Sequence, residues 1–291
     1  MFERLANGWR LASEVRKMVF KDKSLMTYPI VSMLIAFAMS LVIFGTFFVF
    51  VTNPAFSGAI VYLVLLAIVL LFVVYFLLIF IVSYILLAMY VAFKSSLAGN
   101  KIGMLEALAR VKEYIRPLAE WSLFYALVIT FLRALESQIR GITGAVIGVA
   151  TSVALSISLL FIMPVIYNQK LGPISAMKKS AEVFVRHFGS TIGGIAYSDT
   201  YGLIFIALGS VILLCGVGIS TAFIGVVADA IVDVLYVFGY LFVLFGAIVA
   251  YTTSNIFKFI LFDYATGMGL PAGFDENLIK NALISKKQNI L

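Results

Sequence analysis

The chain has 291 residues, 63% of them hydrophobic and only 12% charged, with a net charge of +7 and a mean hydropathy of +1.11. A soluble domain carries roughly 45–50% apolar residues and about 25% charged ones, and could not bury this much apolar surface. The figures exclude a soluble globular enzyme, a nucleic-acid-binding domain and a secreted disulfide scaffold. They predict an all-α polytopic membrane protein.

Cys215 and His187 are the single cysteine and histidine. One of each allows no intrachain disulfide and argues against a structural zinc site or a doubly ligated haem. His187 has no nucleophile near it in sequence, and the chain contains no phosphate-binding glycine motif, HExxH, GxSxG or Asn-x-Ser/Thr site. Neither a cofactor nor an enzymatic activity is expected.

Met1–Lys23 carries six basic residues and no short apolar core with a cleavage site, so the first membrane helix is expected to act as an uncleaved insertion signal. No charge occurs from Ser24 to Phe93. At about 20 residues per crossing this stretch holds two spans, Met26–Val51 and Ala59–Phe93, separated by the turn formers of Thr52–Gly58. A third span starts near Pro117 and must run from Trp121 to about Ile139 to cross, which puts Arg133, Glu136 and Arg140 on its outer end at helical spacing. The fourth is read as Ile142–Tyr167. The fifth is read as Phe188–Leu214 with Asp199 near its middle, and the sixth as Thr221 to about Asp263 with Asp229 and Asp233 on one face. The glycines and proline of Asp263–Gly273 end that helix, and residues 267–291 form a cytoplasmic tail with a short helix over Asp275–Ser285.

Six spans put both termini on one side. Nineteen of the 21 basic residues lie at the ends or in the loops Lys94–Arg116 and Lys170–Arg186, and the other two are Arg133 and Arg140. The positive-inside rule assigns that side to the cytoplasm.

Three basic amphipathic stretches precede helical hairpins: Gly8–Lys17, Gly103–Glu113 and Gly172–Glu182. In each, alanine follows the glycine by four residues and a basic cluster comes next. This outlines three repeats within a single transmembrane domain of residues 1–266, about 1–93, 94–170 and 171–266. The amphipathic helices are expected at the interface, with lysine and arginine towards anionic lipid head groups.

The two ends resemble a known family. Gly8-Trp9-Arg10-Leu11-Ala12 through Lys21-Asp22-Lys23-Ser24-Leu25 and Tyr28-Pro29-Ile30-Val31-Ser32, together with Phe257–Gly267 and Leu270-Pro271-Ala272-Gly273-Phe274-Asp275, are similar to a family of prokaryotic six-span membrane proteins classed as a domain of unknown function. The resemblance implies an archaeal or bacterial cell membrane and no activity.

Ionisable groups inside spans are the default candidates for function, since each costs at least ~2.5 kcal/mol at mid-bilayer. Asp199, Asp229, Asp233, Arg133, Glu136 and Arg140 could form a proton or cation pathway, or could pair with one another and fix packing. Small residues recur every four positions in the fourth span, at Gly144, Gly148, Ser152 and Ser156. This stripe suits close helix packing within the chain or in a homo-oligomer. The sparse mid-membrane polarity points to a structural or accessory membrane component, with a small transporter or channel using the carboxylates as the alternative.

Overall fold

A computed structural model describes residues 2–52, 60–138, 148, 155–156, 158–188, 200–222, 225–271 and 274. The described residues contain helices and no strands. Nine helices are α1 (Phe2–Lys21), α2 (Thr27–Thr52), α3 (Ile60–Leu97), α4 (Met104–Val111), α5 (Ile115–Gln138), α6 (Ile162–Gln169), α7 (Pro173–Phe188), α8 (Thr200–Ala222) and α9 (Val226–Ala265). Five stretches among the described residues are long and apolar enough to cross a membrane: Lys23–Val49, Val69–Leu97, Met104–Leu132, Thr200–Ala222 and Val226–Ala265. The protein is therefore an all-α polytopic membrane protein. Most of the expected fourth span lies outside the described residues, as does the expected tail helix.

Proline explains where several helices begin. Pro29, Pro117 and Pro164 each stand third in α2, α5 and α6, and Pro173 opens α7. A first-turn residue has no intrahelical acceptor for its N–H, so proline forfeits nothing there. Pro164 also accounts for a departure from the expected continuous fourth span. A helix running through Leu160 would need the N–H that Pro164 lacks; instead the chain turns at Leu160–Phe161 and restarts as α6.

The chain divides into two compact units, Met1–Met26 with Val185–Leu291, and Thr27–Phe184. This division cuts across the boundaries of the three expected repeats.

In the Thr27–Phe184 unit, α2, α4, α5 and α6 all pack on α3. The core lies at the C-terminal end of α3, where Leu87–Phe93 are buried. The Tyr84 hydroxyl donates to the Leu108 carbonyl at 2.7 Å, which fixes α4 against α3. The amphipathic helix α4 is not a detached element, since one 3₁₀ turn (Lys112–Tyr114) carries it into α5.

In the other unit, α8 and α9 form a long hairpin and α1 packs on α9 through Val15 and Val19, both fully buried. The Arg16 guanidinium stacks over the Tyr201 ring, 4.6 Å from its centroid, and Phe20 meets the same ring edge-on at 6.4 Å. Along α9 the burial changes character. From Val226 to Ile248 mainly Val232, Gly239 and Gly246 are buried, whereas from Thr252 to Asp263 nearly every residue is. The helix ends as expected. Gly267 is left-handed (φ 75°), with Met268 N–H donating to the Asp263 carbonyl and Gly267 N–H to that of Tyr264. Gly99 closes α3 by the same Schellman arrangement, with Asn100 N–H on the Ser95 carbonyl.

Candidate functional site

Of the expected intramembrane polar residues, Asp229 and Asp233 are the two whose side chains fall among the described residues. The described part of the fifth span, Thr200–Ala222, runs past the expected end at Leu214. The connection to the next helix is therefore near Gly225 rather than at Cys215–Ser220, which is helical. Asp199 itself lies outside the described residues. Arg133 and Glu136 fall in the last two turns of α5, with side chains outside the description, and Arg140 lies outside it altogether.

Asp229 and Asp233 are exposed. Asp229 sits in the first turn of α9, its N–H bonded to the Gly225 carbonyl at 3.0 Å, where a carboxylate complements the partial positive charge of the helix end. Gly216 in α8 lies against Tyr236 in α9, so residues before 236 run on towards the connection. At ~1.5 Å per residue α9 is about 60 Å long, twice a ~30 Å hydrocarbon layer. The two carboxylates thus belong to the connection end of the hairpin, where both are exposed. Among the described residues, no three histidine, cysteine, aspartate or glutamate side chains gather as a metal would require.

The contact that holds the hairpin is a glycine seam absent from the sequence reading. Gly202, Gly209 and Gly216 recur every seven residues in α8, and Val232, Gly239 and Gly246 every seven in α9; all six are buried. A Cβ on Gly209 would stand 2.7 Å from the Gly239 carbonyl oxygen and 2.8 Å from the Val243 nitrogen. One on Gly246 would stand 2.6 Å from the Gly202 oxygen and 2.8 Å from the Ile206 nitrogen. The two backbones touch at both levels, which suits reciprocal Cα–H···O contacts. A seven-residue recurrence is two turns at ~3.5 residues each, the spacing that winds a pair of helices left-handed. The stripe Gly144, Gly148, Ser152, Ser156 cannot be compared: only Gly148, half-buried, and Ser156, exposed, fall among the described residues.

A second polar cluster closes the C-terminal end of α3. Tyr167 stacks on Tyr114 at 5.2 Å and meets Tyr90 edge-on at 5.4 Å, while Asn168 donates to the Tyr90 hydroxyl at 3.1 Å. Lys170 lies 5.1 Å above the Tyr114 ring and 3.4 Å from the Glu113 carboxylate. Lys170 is the described non-glycine residue with positive φ (48°), and it caps α6. This arrangement ties α6 to the start of α5 through cation–π and aromatic contacts.

The third polar group is the buried run Thr252-Thr253-Ser254-Asn255 of α9. Thr252 donates to the Ile248 carbonyl at 2.7 Å and Asn255 to that of Tyr251 at 2.8 Å, so these side chains bond back to their own helix. No family model, curated protein or solved structure matches the chain.

Proposed function

We propose that the protein is a structural or accessory component of a prokaryotic cell membrane, with both termini in the cytoplasm and no enzymatic activity. The glycine seam between α8 and α9 carries this reading. Two helices in backbone contact leave no passage between them, and the carboxylates of Asp229 and Asp233 are exposed near the start of α9, beyond the seam. The cytoplasmic placement of the termini is supported by the clustering of 19 of 21 basic residues at the ends and in two loops. The resemblance of both chain ends to a prokaryotic six-span family supports the cell membrane as its location.

The buried run Thr252–Asn255 favours a second reading, a small transporter or channel, because polar side chains at membrane depth mark pathways. Purified protein in liposomes separates the two. Under an imposed pH gradient, protein-containing and empty vesicles should leak protons and monovalent cations equally. A protein-dependent flux that Asp199→Asn abolishes would refute the accessory reading. For orientation, a cysteine at Ser57 in a Cys215→Ser background should label only from outside and one at Ser95 only from inside; the reverse pattern would overturn the topology.

A further inference from the structure

Helices α4 and α7 are built on one plan. Lys101-Ile102-Gly103 leads into α4 and Lys170-Leu171-Gly172 into α7. At the same offset from each glycine come Ala107 and Ala176, Arg110 and Lys179, Val111 and Ser180, and Glu113 and Glu182. The structure gives the Ala107/Ala176 and Val111/Ser180 pairs the same roles. The Gly103 carbonyl accepts the first helical hydrogen bond from Ala107 N–H at 3.0 Å, and the Gly172 carbonyl accepts from Ala176 N–H at 2.9 Å. Ala107, Val111, Ala176 and Ser180 are all fully buried.

The opposite faces correspond as well. Two residues after each glycine, a large aliphatic side chain points outward: Leu105 is 84% exposed and Ile174 is 58% exposed. On the same side of α4 lies exposed Lys112, and on that of α7 lie exposed Lys178 and Val185. Lys101–Arg116 has four basic residues against two acidic, and Lys170–Arg186 four against one. α4 also continues through a single 3₁₀ turn into α5 within one span-length apolar stretch, Met104–Leu132, so its outer face cannot be far from the bilayer.

We infer that α4 and α7 are duplicate membrane-surface anchors, each seating one aliphatic side chain, Leu105 or Ile174, at the head-group border of a leaflet containing anionic lipid, with Lys112 and Lys178 on the phosphates. An outward aliphatic residue beside lysines is what an interfacial helix presents to such a surface. The inference requires only that the protein is in a membrane, and a failure here leaves the flux result untouched.

The test uses the full chain in a Cys215→Ser background, with Leu105→Cys or Ile174→Cys labelled by an environment-sensitive fluorophore. Both positions are exposed, so the label displaces no packing. The protein is reconstituted in vesicles of phosphatidylcholine alone or mixed with phosphatidylglycerol. Both labels should emit blue-shifted, and be quenched more by nitroxides near the head group than by nitroxides deep in the acyl chains. The shift should grow with phosphatidylglycerol, and Lys112→Gln or Lys178→Gln should remove that growth at its own helix only. Water-like emission at either site, quenched by soluble iodide and by neither nitroxide, would overturn the anchor and leave that face to a cytoplasmic partner. A response at one site without the other would overturn the duplication, and identical spectra in both lipid mixtures would overturn the anionic preference.

Discussion

Gly209→Ala is the sharpest test of the glycine seam. The added Cβ would stand 2.7 Å from the Gly239 oxygen, 2.8 Å from Val243 Cγ2 and 2.8 Å from the Val243 nitrogen. Two of these atoms are backbone, so no flexible side chain can swing aside. Restoring an ordinary separation of ~3.5 Å requires α8 and α9 to part locally by about 0.7 Å, which forfeits roughly a quarter to a half of the dispersion energy of every contact at that level. Overpacking of this kind costs ~1–3 kcal/mol. Alanine regains about 0.5–1 kcal/mol by restricting the unfolded chain, so a net loss of roughly 1–2 kcal/mol is expected. Gly218 is the control in the same helix, since a Cβ there meets nothing within 4 Å. Gly218→Ala should be neutral or stabilising by up to about 1 kcal/mol. Reversible unfolding in mixed detergent–SDS micelles, followed by circular dichroism, reads both variants. The reasoning fails if Gly209→Ala is as stable as Gly218→Ala.

Further outcomes follow from the same geometry and the same unfolding assay. Lys170→Gly and Lys170→Ala both lose the Glu113 pair, which is half-exposed and worth ~0–1 kcal/mol, but only glycine relieves the left-handed backbone at φ 48°; the glycine variant should be more stable than the alanine one by about 1–2 kcal/mol. Ser180→Ala should cost ~1–3 kcal/mol, because the buried Phe161 N–H, which donates to the Ser180 hydroxyl at 3.0 Å, loses its acceptor. Asp229→Asn should cost less than ~1 kcal/mol, the worth of a charge at an exposed helix N-terminus, and leave vesicle flux unchanged. A larger loss would mean that the carboxylate is buried in the assembled protein.

The helices were legible because their cause is bulk composition. Long uncharged runs must become backbone-satisfied helices in lipid, whatever their individual residues. The amphipathic segments were legible for a related reason: Ala107, Val111 and Tyr114 recur on one face of the chain while Leu105 and Lys112 fall on the other. The end of α8 was not. Gly216, Gly218 and Ser220 are turn formers by propensity, and the sequence reading placed an outer loop there. In the structure Gly216 is the third rung of the seam, and the helix continues through it because close approach to Tyr236 is worth more than the turn.

The sequence pattern sets Asp199 near the middle of a fifth span over Phe188–Leu214, where a carboxylate is a functional signal. In the structure that helix runs on to Ala222, and Asp199 lies outside the described residues. Glycine at a four-residue spacing was the pattern sought, since that spacing marks helices crossing at a steep angle. The seam of α8 and α9 runs nearly the whole length of α8, and contact kept up over that distance repeats every seven residues. The spacing of small residues therefore reports how long two helices stay together, and in this chain it separates a hairpin fused along its length from helices that cross once and diverge.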